Sequence, residues 1–463
     1  MTQYDLLIIG AGSGNSLVTP EMDEWNIAIV ERDKFGGTCL NVGCIPSKMF
    51  IYAAEVAEQT RHLSRYGLRF DPPTKAVADW PAIVHRVFGR IDPIAMGGED
   101  YRRGLPNVDV FMGDARFTGL RELQVNGSTI SAERIVLAAG ARPNIPKIAG
   151  LSGPGAVPFH TSDTIMRIEA LPAHLIILGS GFIAAELGHV FEALGTKVTI
   201  VTRTHVVLRA EDDDISARFT EMVRERFELV LDAQPVAVRL RHSGDGVAID
   251  LRDGRCVEGD MLLIATGRVP NGGQLEVEKT GVELDARGFV MVDDTNLTGV
   301  QGIWALGDMV GRHQLKHMAN LEALLVQHNV LHPDAPKRLD DRAAPHAVFT
   351  TPQIGSVGLT ERQAMMAGVP HVVIRHDYAS AAYGWAMEDT TSFVKLLGDP
   401  VTHRLLGAHI IGPQASVLVQ LLVQGMHLGA TVEELAEGQI WIHPALSEVV
   451  EQALLKLAEA LAP

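Results

Sequence analysis

Leu6-Leu7-Ile8-Ile9-Gly10-Ala11-Gly12-Ser13-Gly14-Asn15 is the stretch on which the fold of this chain turns. A short unbroken apolar run reads as a parallel strand buried on both faces. The glycines after it permit a tight turn and let the backbone approach a pyrophosphate at a helix amino terminus. The next strand, Ile27-Ala28-Ile29-Val30, ends at Glu31 about 20 residues on, where a carboxylate can meet ribose hydroxyls. A glycine fingerprint alone is weak. Strand, glycines, helix, strand and terminal acid in this order make a dinucleotide-binding βαβ unit. Asn15 stands at the third fingerprint position, where glycine usually allows close helix–strand packing, so packing there is expected to differ.

Directly beyond Glu31 lies Gly36-Gly37-Thr38-Cys39-Leu40-Asn41-Val42-Gly43-Cys44-Ile45-Pro46-Ser47-Lys48. On a regular α-helix its two cysteines would lie about 140° around the axis and about 8.7 Å apart in Cα. A disulfide needs about 4.4–6.8 Å. A bridge therefore requires irregular backbone, which Gly43 and Pro46 are expected to supply. By itself the pair reads equally well as two buried structural thiols. Its place favours redox work, beside whatever the dinucleotide carries at its far end.

Tyr52 to about Leu105 reads as two long helices with Pro72-Pro73 as the link, and Val108 to Phe117 returns to strand. Ile135-Val136-Leu137-Ala138-Ala139-Gly140 is another buried strand closing on glycine. The first unit then repeats. Leu175-Ile176-Ile177-Leu178-Gly179-Ser180-Gly181-Phe182-Ile183-Ala184 leads into a helix and the strand Lys197-Val198-Thr199-Ile200-Val201. Here Thr202 replaces the terminal acid, and Arg203 and Arg209 follow. An acid would repel a 2′-phosphate; two arginines without one favour NADPH over NADH. Met261 to Gly267 closes this second dinucleotide unit.

Gly302 to Asp308 reads as a short strand presenting a carboxylate. The helix from about Lys316-His317 to His328 offers its first amides to a flavin carbonyl. A loop from Pro333 to Pro345 marks a boundary, and a strand-and-helix mixture without nucleotide signature follows. Within it, Trp441-Ile442-His443-Pro444-Ala445-Leu446-Ser447-Glu448 sets one of 18 histidines apart. Pro444 restricts the backbone of His443. Glu448, across the turn beginning a helix, can fix the imidazole tautomer and leave the other nitrogen for proton transfer. Cys256, the third cysteine, has no local redox partner and reads as structural.

Length and charge agree with this outline. The 463 residues suffice for three or four domains, and a net charge of −16 argues against nucleic acid or an anionic membrane as partner. No stretch is apolar enough to span a membrane. Met-Thr-Gln-Tyr-Asp enters a strand at once, so no signal peptide is expected. Three cysteines in such a chain suit a reducing cytoplasm better than a secreted disulfide scaffold. No metal site is read.

The Cys39-x4-Cys44 motif, the paired nucleotide units, Gly307-Asp308 and His443-Pro444-x3-Glu448, in this order, resemble the pyridine nucleotide–disulfide oxidoreductases of the glutathione reductase and dihydrolipoamide dehydrogenase type, over essentially the whole length. The resemblance implies an α/β fold with two Rossmann-like domains, for FAD and NADPH, and an α+β carboxyl-terminal dimerisation domain. The boundaries expected are 1–149 and 269–338 for the FAD domain, 150–268 for the NADPH domain, and 339–463 for the interface. It implies FAD contacts from Gly10, Gly12, Ser13, Gly14, Glu31, Gly37, Thr38, Lys48, Ala115, Gly140, Gly307, Asp308, Lys316 and His317. For NADPH it implies Gly179, Ser180, Gly181, Phe182, Ile183, Glu186, Arg203, Arg209 and Gly267. Lys48 would pair with Glu186 near the flavin. Cys44 would be the charge-transfer thiol and Cys39 the thiol attacking substrate, with His443 and Glu448 acting from the other subunit of a homodimer. Phe182 stands where many relatives have a tyrosine lid.

Gly-Ala-Gly-Ser-Gly-Asn-Ser at 10–16, Pro-Ser-Lys-Met-Phe-Ile-Tyr at 46–52 and Tyr-Gly-Trp-Ala-Met-Glu-Asp at 383–389 are most similar to the branch that reduces mycothione, a sugar-linked disulfide of actinobacteria. Residues 16–24 carry Glu21, Asp23 and Glu24 and no arginine, a lip suited to a neutral or cationic disulfide rather than an anionic one. Dihydrolipoamide dehydrogenase, which would want an acid at position 202, and glutathione reductase are the rival enzymes. A flavoprotein docked in a multienzyme complex is the rival outside catalysis, and gel filtration separates it from a free dimer.

Overall fold

The computed structural model describes residues 2–71, 76–241 and 244–462. Thr2–Ile9 (β1) is buried from Leu6 onward, as its apolar run requires. It lies between Ile27–Glu31 (β2) and Ser128–Leu137 (β6), parallel to both. Val108–Met112 (β3) extends the sheet beyond β2, while Ala115–Gly119 (β4) and Glu122–Val125 (β5) form an antiparallel meander onto β6. The seventh strand, Ile303–Ala305, pairs with the far end of β6, in the register Ile303 to Ile135.

The second unit repeats this arrangement with His174–Leu178 at its centre. Lys197–Val201 lies on one side and Met261–Ile264 on the other, all parallel. The duplication holds at atomic detail. The amide of Gly10 donates to the Val30 carbonyl at 2.8 Å, and that of Gly179 to Val201 at 3.0 Å. Both glycines have positive φ, +107° and +123°. A Cβ would stand 2.3 Å from the Ala138 carbonyl oxygen in one and 2.2 Å from that of Ala265 in the other. No other residue fits that turn.

Beyond the glycines the two units diverge. The second continues into a true helix, Phe182–Ala193, whereas the expected first helix is replaced by 3₁₀ turns, Ser13–Leu17 and Pro20–Met22. Pro20 is the cause. It lacks an amide, its ring would strike the preceding turn, and it holds Thr19 extended at φ −129°, ψ 166°. The close packing expected at the third fingerprint position moves to Gly14, whose Cβ would sit 2.8 Å from that of Ala138. Asn15 instead receives the buried Arg102, whose Nε donates to Oδ1 at 2.8 Å.

Gly37–Asn41 (α1), Cys44–Arg61 (α2) and Trp80–Arg103 (α3) follow β2. The last two are the two long helices expected between Tyr52 and about Leu105, but α2 begins at Cys44, inside the cysteine motif, rather than at Tyr52; Pro72-Pro73 lies outside the described residues. The chain leaves the first unit through Ala141–Pro143 and returns through Arg268–Pro270, two strands paired antiparallel. A final five-stranded antiparallel sheet, in the order 345–348, 353–358, 405–412, 393–398, 372–377, carries the helices Ala415–Leu428 and Glu448–Leu461 against one face. Its other face, through Ile354, Phe393 and Ile411, joins the apolar core built by α2 and the helix Phe182–Ala193. No helix among the described residues is long and apolar enough to cross a membrane.

Candidate active site

Cys39 lies in α1 and Cys44 is the first residue of α2. The break between them falls at Val42 and Gly43, where φ is −144° and −129°. Pro46 does not contribute, contrary to expectation. It occupies the first turn of α2, where an intrahelical amide is not needed. Both cysteines are free thiols. The Cys39 thiol donates to the Cys44 sulfur, and this hydrogen bond brings the Cys44 pKa down to about 7 against burial, with help from the Lys48 ammonium. Lys48 follows Cys44 by four residues on the same face of α2, and the amino end of an 18-residue helix adds its dipole. The same hydrogen bond, with burial, pushes the Cys39 thiol up. Cys44 is the sulfur built to hold negative charge.

The pair opens onto a cleft of about 950 Å³ that runs along the carboxyl end of β1. Gly10, Gly12, Ser13, Glu31, Gly37, Thr38, Lys48, Ala115, Gly140, Gly307, Asp308 and Lys316 line it, as do Phe182, Ile183 and Glu186 from the second unit. Glu31 accepts the Ala11 amide at 2.7 Å, and Lys316 Nζ reaches Ser13 Oγ at 2.8 Å. Burial raises the pKa of Asp308. Two predicted contacts lie elsewhere. Gly14 packs under the turn, and His317 turns its Nε2 to the Pro345 carbonyl at 2.8 Å.

Lys48 Nζ meets both oxygens of Glu186, at 2.7 and 3.0 Å, and stands over the Phe349 ring. Glu186 is buried, which raises its pKa, and it also accepts the Phe349 amide at 3.0 Å. Lys48→Met would strand that carboxylate. Breaking a buried pair costs about 3–5 kcal/mol, and the partial exposure of Lys48 puts the expected loss at the low end. Thermal melting should drop for Lys48→Met and recover in the Lys48→Met/Glu186→Gln double variant. Failure of the second change to restore the midpoint would show that the charge of Glu186 is not the destabilising element.

His443 Nδ1 lies 2.7 Å from Glu448 Oε1, and the other carboxylate oxygen accepts the Ala445 amide at 3.2 Å. Glu448 begins the helix Glu448–Leu461 and is buried, while the His443 side chain is 73% exposed. The hydrogen bond from His443 holds the carboxyl of Glu448 below its ordinary range. Neither residue lines the cleft of its own chain.

In the second unit, Gly179, Ser180, Gly181, Arg203, Arg209 and Gly267 lie outside that cleft. Ser180, Thr202 and Thr204 form a hydroxyl cluster, with oxygens 2.8, 3.2 and 3.0 Å apart, where the first unit has the Glu31 carboxylate. Arg203 and Arg209 are exposed, and among the described residues neither guanidinium has a hydrogen-bond or ion-pair partner. Cys256 is exposed on the strand Cys256–Gly259, with its sulfur 3.5 Å from Arg239 Nη2, rather than packed in a core.

A family profile described as pyridine nucleotide-disulphide oxidoreductase matches residues 4–323, and its dimerisation domain matches residues 344–454. The chain belongs to the pyridine nucleotide–disulphide oxidoreductases. It is 50% identical to mycothione reductase of Mycobacterium tuberculosis, over 99% of this chain and all of that one. It is 31% identical to dihydrolipoyl dehydrogenase of Thermus scotoductus, over 100% of this chain and 98% of the relative. Among solved structures, the Cu(II) complex of the HOCl-induced flavoprotein disulfide reductase RclA from Escherichia coli superposes with a TM-score of 0.85 at 28% identity, covering both chains fully. As a pyridine nucleotide–disulphide oxidoreductase the chain is an NAD(P)H-dependent flavoprotein with FAD and NADPH as cofactors, and it dimerises through its last domain.

The cleft fits FAD on its own atoms. Its polar lining includes two buried atoms without a hydrogen-bond partner among the described residues, Arg268 Nε and Asn41 Oδ1. Arg268 Nε stands 3.7 Å from Asp308, and the same guanidinium reaches the Ala141 carbonyl. Sequence reasoning passed over both residues, as it did Glu322, whose carboxylate accepts the Gly307 amide at 2.5 Å beneath the Asp308 turn. Burial raises the Glu322 pKa to about 7. A signal for Arg268 was present in the repeat Gly140-Ala141-Arg142-Pro143 and Gly267-Arg268-Val269-Pro270, the two strands that pair between the units of this oxidoreductase.

Proposed function

We propose that this oxidoreductase uses NADPH to reduce mycothione, and that the reaction runs in the cytoplasm. The observation that carries the chemistry is the asymmetry of the cysteine pair, with Cys44 poised as thiolate and Cys39 holding the proton. The cleft residues from Gly10 and Gly12 to Lys48, Asp308 and Lys316 would hold FAD, which would supply two-electron chemistry between NADPH and the Cys39–Cys44 disulfide. The released Cys39 sulfur then attacks one sulfur of the substrate disulfide, forming a mixed disulfide and expelling the other half as thiolate. Because burial and the Cys44 sulfur keep Cys39 protonated, the attack needs a base, and the departing thiolate needs an acid. The partner subunit's His443 serves both steps, its Nδ1 held by Glu448 and its Nε2 left for proton transfer. Cys44 attacks Cys39, re-forms the bond and frees the second thiol.

Support for mycothione comes from the 50% identity along the whole chain; Glu21, Asp23 and Glu24 are exposed but do not line the cleft. NADPH oxidation should proceed with purified mycothione and run at least tenfold slower with glutathione disulfide or lipoamide, about the discrimination of one charged contact. Equal rates with all three would refute the substrate assignment. The site roles and the four-segment domain division belong to the same proposal.

Selectivity for NADPH rests on the hydroxyl cluster at Thr202 and the unpaired Arg203 and Arg209. A hydrogen bond to a charged group contributes about 1.5–3 kcal/mol, so Arg209→Ala should lower NADPH efficiency about 10- to 150-fold. Efficiency with NADH should stay level. Parallel losses with both nucleotides would assign the arginine to folding or to the shared diphosphate.

A further inference from the structure

Phe393–Gly398, in the dimerisation sheet, alternates its side chains between two faces. Val394 and Leu396 meet the sheet's own helices, so Lys395 points the other way, toward the second unit. Its side chain is only 2% exposed. Nζ lies 2.8 Å from Asp212 Oδ1, 2.6 Å from Asp214 Oδ2 and 2.6 Å from Glu361 Oε2. Burial would lower the lysine pKa, but these three carboxylates more than offset it and the ammonium stays charged. The contacts join the dimerisation sheet to the run Glu211-Asp212-Asp213-Asp214, which begins the helix Asp213–Val223 of the second unit.

That run ends the loop bearing Arg203 and Arg209. Neighbouring bonds fasten it from the same side. Glu211 accepts His346 Nε2 at 2.9 Å and Ser356 Oγ at 3.0 Å, both from the dimerisation sheet. Asp212 Oδ2 accepts the Glu361 amide at 3.1 Å. Arg362 binds Asp213 through one nitrogen and the Arg209 carbonyl through the other, at 3.2 Å. Toward the fingerprint, the Leu208 amide donates to the Ser180 carbonyl at 2.8 Å, and Leu208 takes a left-handed φ of 59°. The backbone under Arg209 is thus held between the glycine turn and the dimerisation domain. Without Lys395, Asp212, Asp214 and Glu361 would face one another with no cation between them.

We propose that Lys395 is a positioning residue for the nucleotide-selecting loop, so that preference for a 2′-phosphate is set in part from the dimerisation domain. The proposal rests on the NADPH assignment above. Lys395 touches no nucleotide; it fixes the loop from which Arg209 reaches one.

The test is calorimetric titration of FAD-loaded dimers with 2′,5′-ADP and with 5′-AMP, in wild type, Arg209→Ala, Lys395→Met and Arg362→Ala. Lys395→Met should weaken 2′,5′-ADP about tenfold, the low end of one charge-assisted hydrogen bond, and leave 5′-AMP within about twofold. KM for NADPH should rise while kcat with NADH holds. Arg362→Ala alters a side chain that is 41% exposed, so it tests the same coupling should Lys395→Met fail to fold. It should weaken 2′,5′-ADP selectively, by about threefold, as a half-exposed contact would. If wild type and Arg209→Ala behave as expected but both other variants weaken the two ligands equally or neither, the positioning role is overturned alone. If wild type shows no preference for 2′,5′-ADP, the NADPH assignment falls and takes this inference with it.

Discussion

Dimers reassembled from a mixture of His443→Ala and Cys39→Ser protomers should regain about a quarter of wild-type activity per total site, given two symmetric sites per dimer. Each parent homodimer should be nearly inactive. The expectation follows from where the groups stand. Glu448 begins the terminal helix and His443 lies in the turn before it, both in the dimerisation domain, and they line no part of their own chain's cleft. In a statistical mixture about half of the dimers are hybrids, and a two-fold arrangement gives each hybrid one doubly defective site and one intact site. His443→Ala alone should spare flavin reduction by NADPH and slow disulfide reduction by about 10²–10⁴, the range for loss of a general acid–base group. Glu448→Gln should be milder, because the imidazole remains and only its orientation and basicity suffer. Absence of recovery from hybrids shown to be flavin-loaded would return the histidine to its own subunit's site.

The second large effect is spectroscopic. Two-electron reduction should produce a long-wavelength thiolate-to-flavin absorbance that Cys39→Ser retains and Cys44→Ser abolishes. Cys44 has the helix amino terminus, the Lys48 ammonium and the donated hydrogen bond of Cys39, whereas Cys39 is held protonated. The absorbing species is the thiolate, so in the wild-type enzyme the band should grow as pH rises through about 7 and fade below it. In Cys39→Ser the hydroxyl donates in place of the thiol, so the band should persist near neutral pH. A band that survives Cys44→Ser would reverse the two sulfurs.

Much of this was legible because it depends on short-range constraints. Gly10 and Gly179 announce themselves, since a turn in which Cβ would strike a carbonyl admits no other residue. The Cys44–Lys48 spacing is one helical turn, and His443 and Glu448 are joined across a single turn of chain. What escaped was long-range or a contest between local terms. Pro20 overrode helical patterning in the first unit, and the break assigned jointly to Gly43 and Pro46 falls at Val42 and Gly43. Arg268 matters through partners up to 230 residues away in sequence, such as Thr38, whereas Asn41 bonds to carbonyls within seven residues and Glu322 to the Gly307 amide, 15 residues back. Nothing in the immediate neighbourhoods of Asn41 and Glu322 distinguishes them from ordinary polar residues, and Arg268 is marked only by the Gly-Pro frame it shares with residues 140–143. Lys395 sits in an otherwise apolar strand, where a lone lysine would pass for an edge residue until the sheet is assembled around it.

The paired strands Ala141–Pro143 and Arg268–Pro270 have a bearing on how such enzymes can be rebuilt. Where a segment departs and comes home side by side, a replacement module needs only matching ends, and a loop could close the gap if the insert were removed. Transplanting residues 144–267 from a relative of opposite coenzyme taste is therefore geometrically simple at its seams. The obstacle lies on the far side of the insert. A donor segment lacking carboxylates at the places of Asp212 and Asp214 would leave the buried Lys395 with Glu361 in place of three carboxylate partners. A chimera that carries position 395 and its neighbours along with the insert should fold where the minimal graft does not.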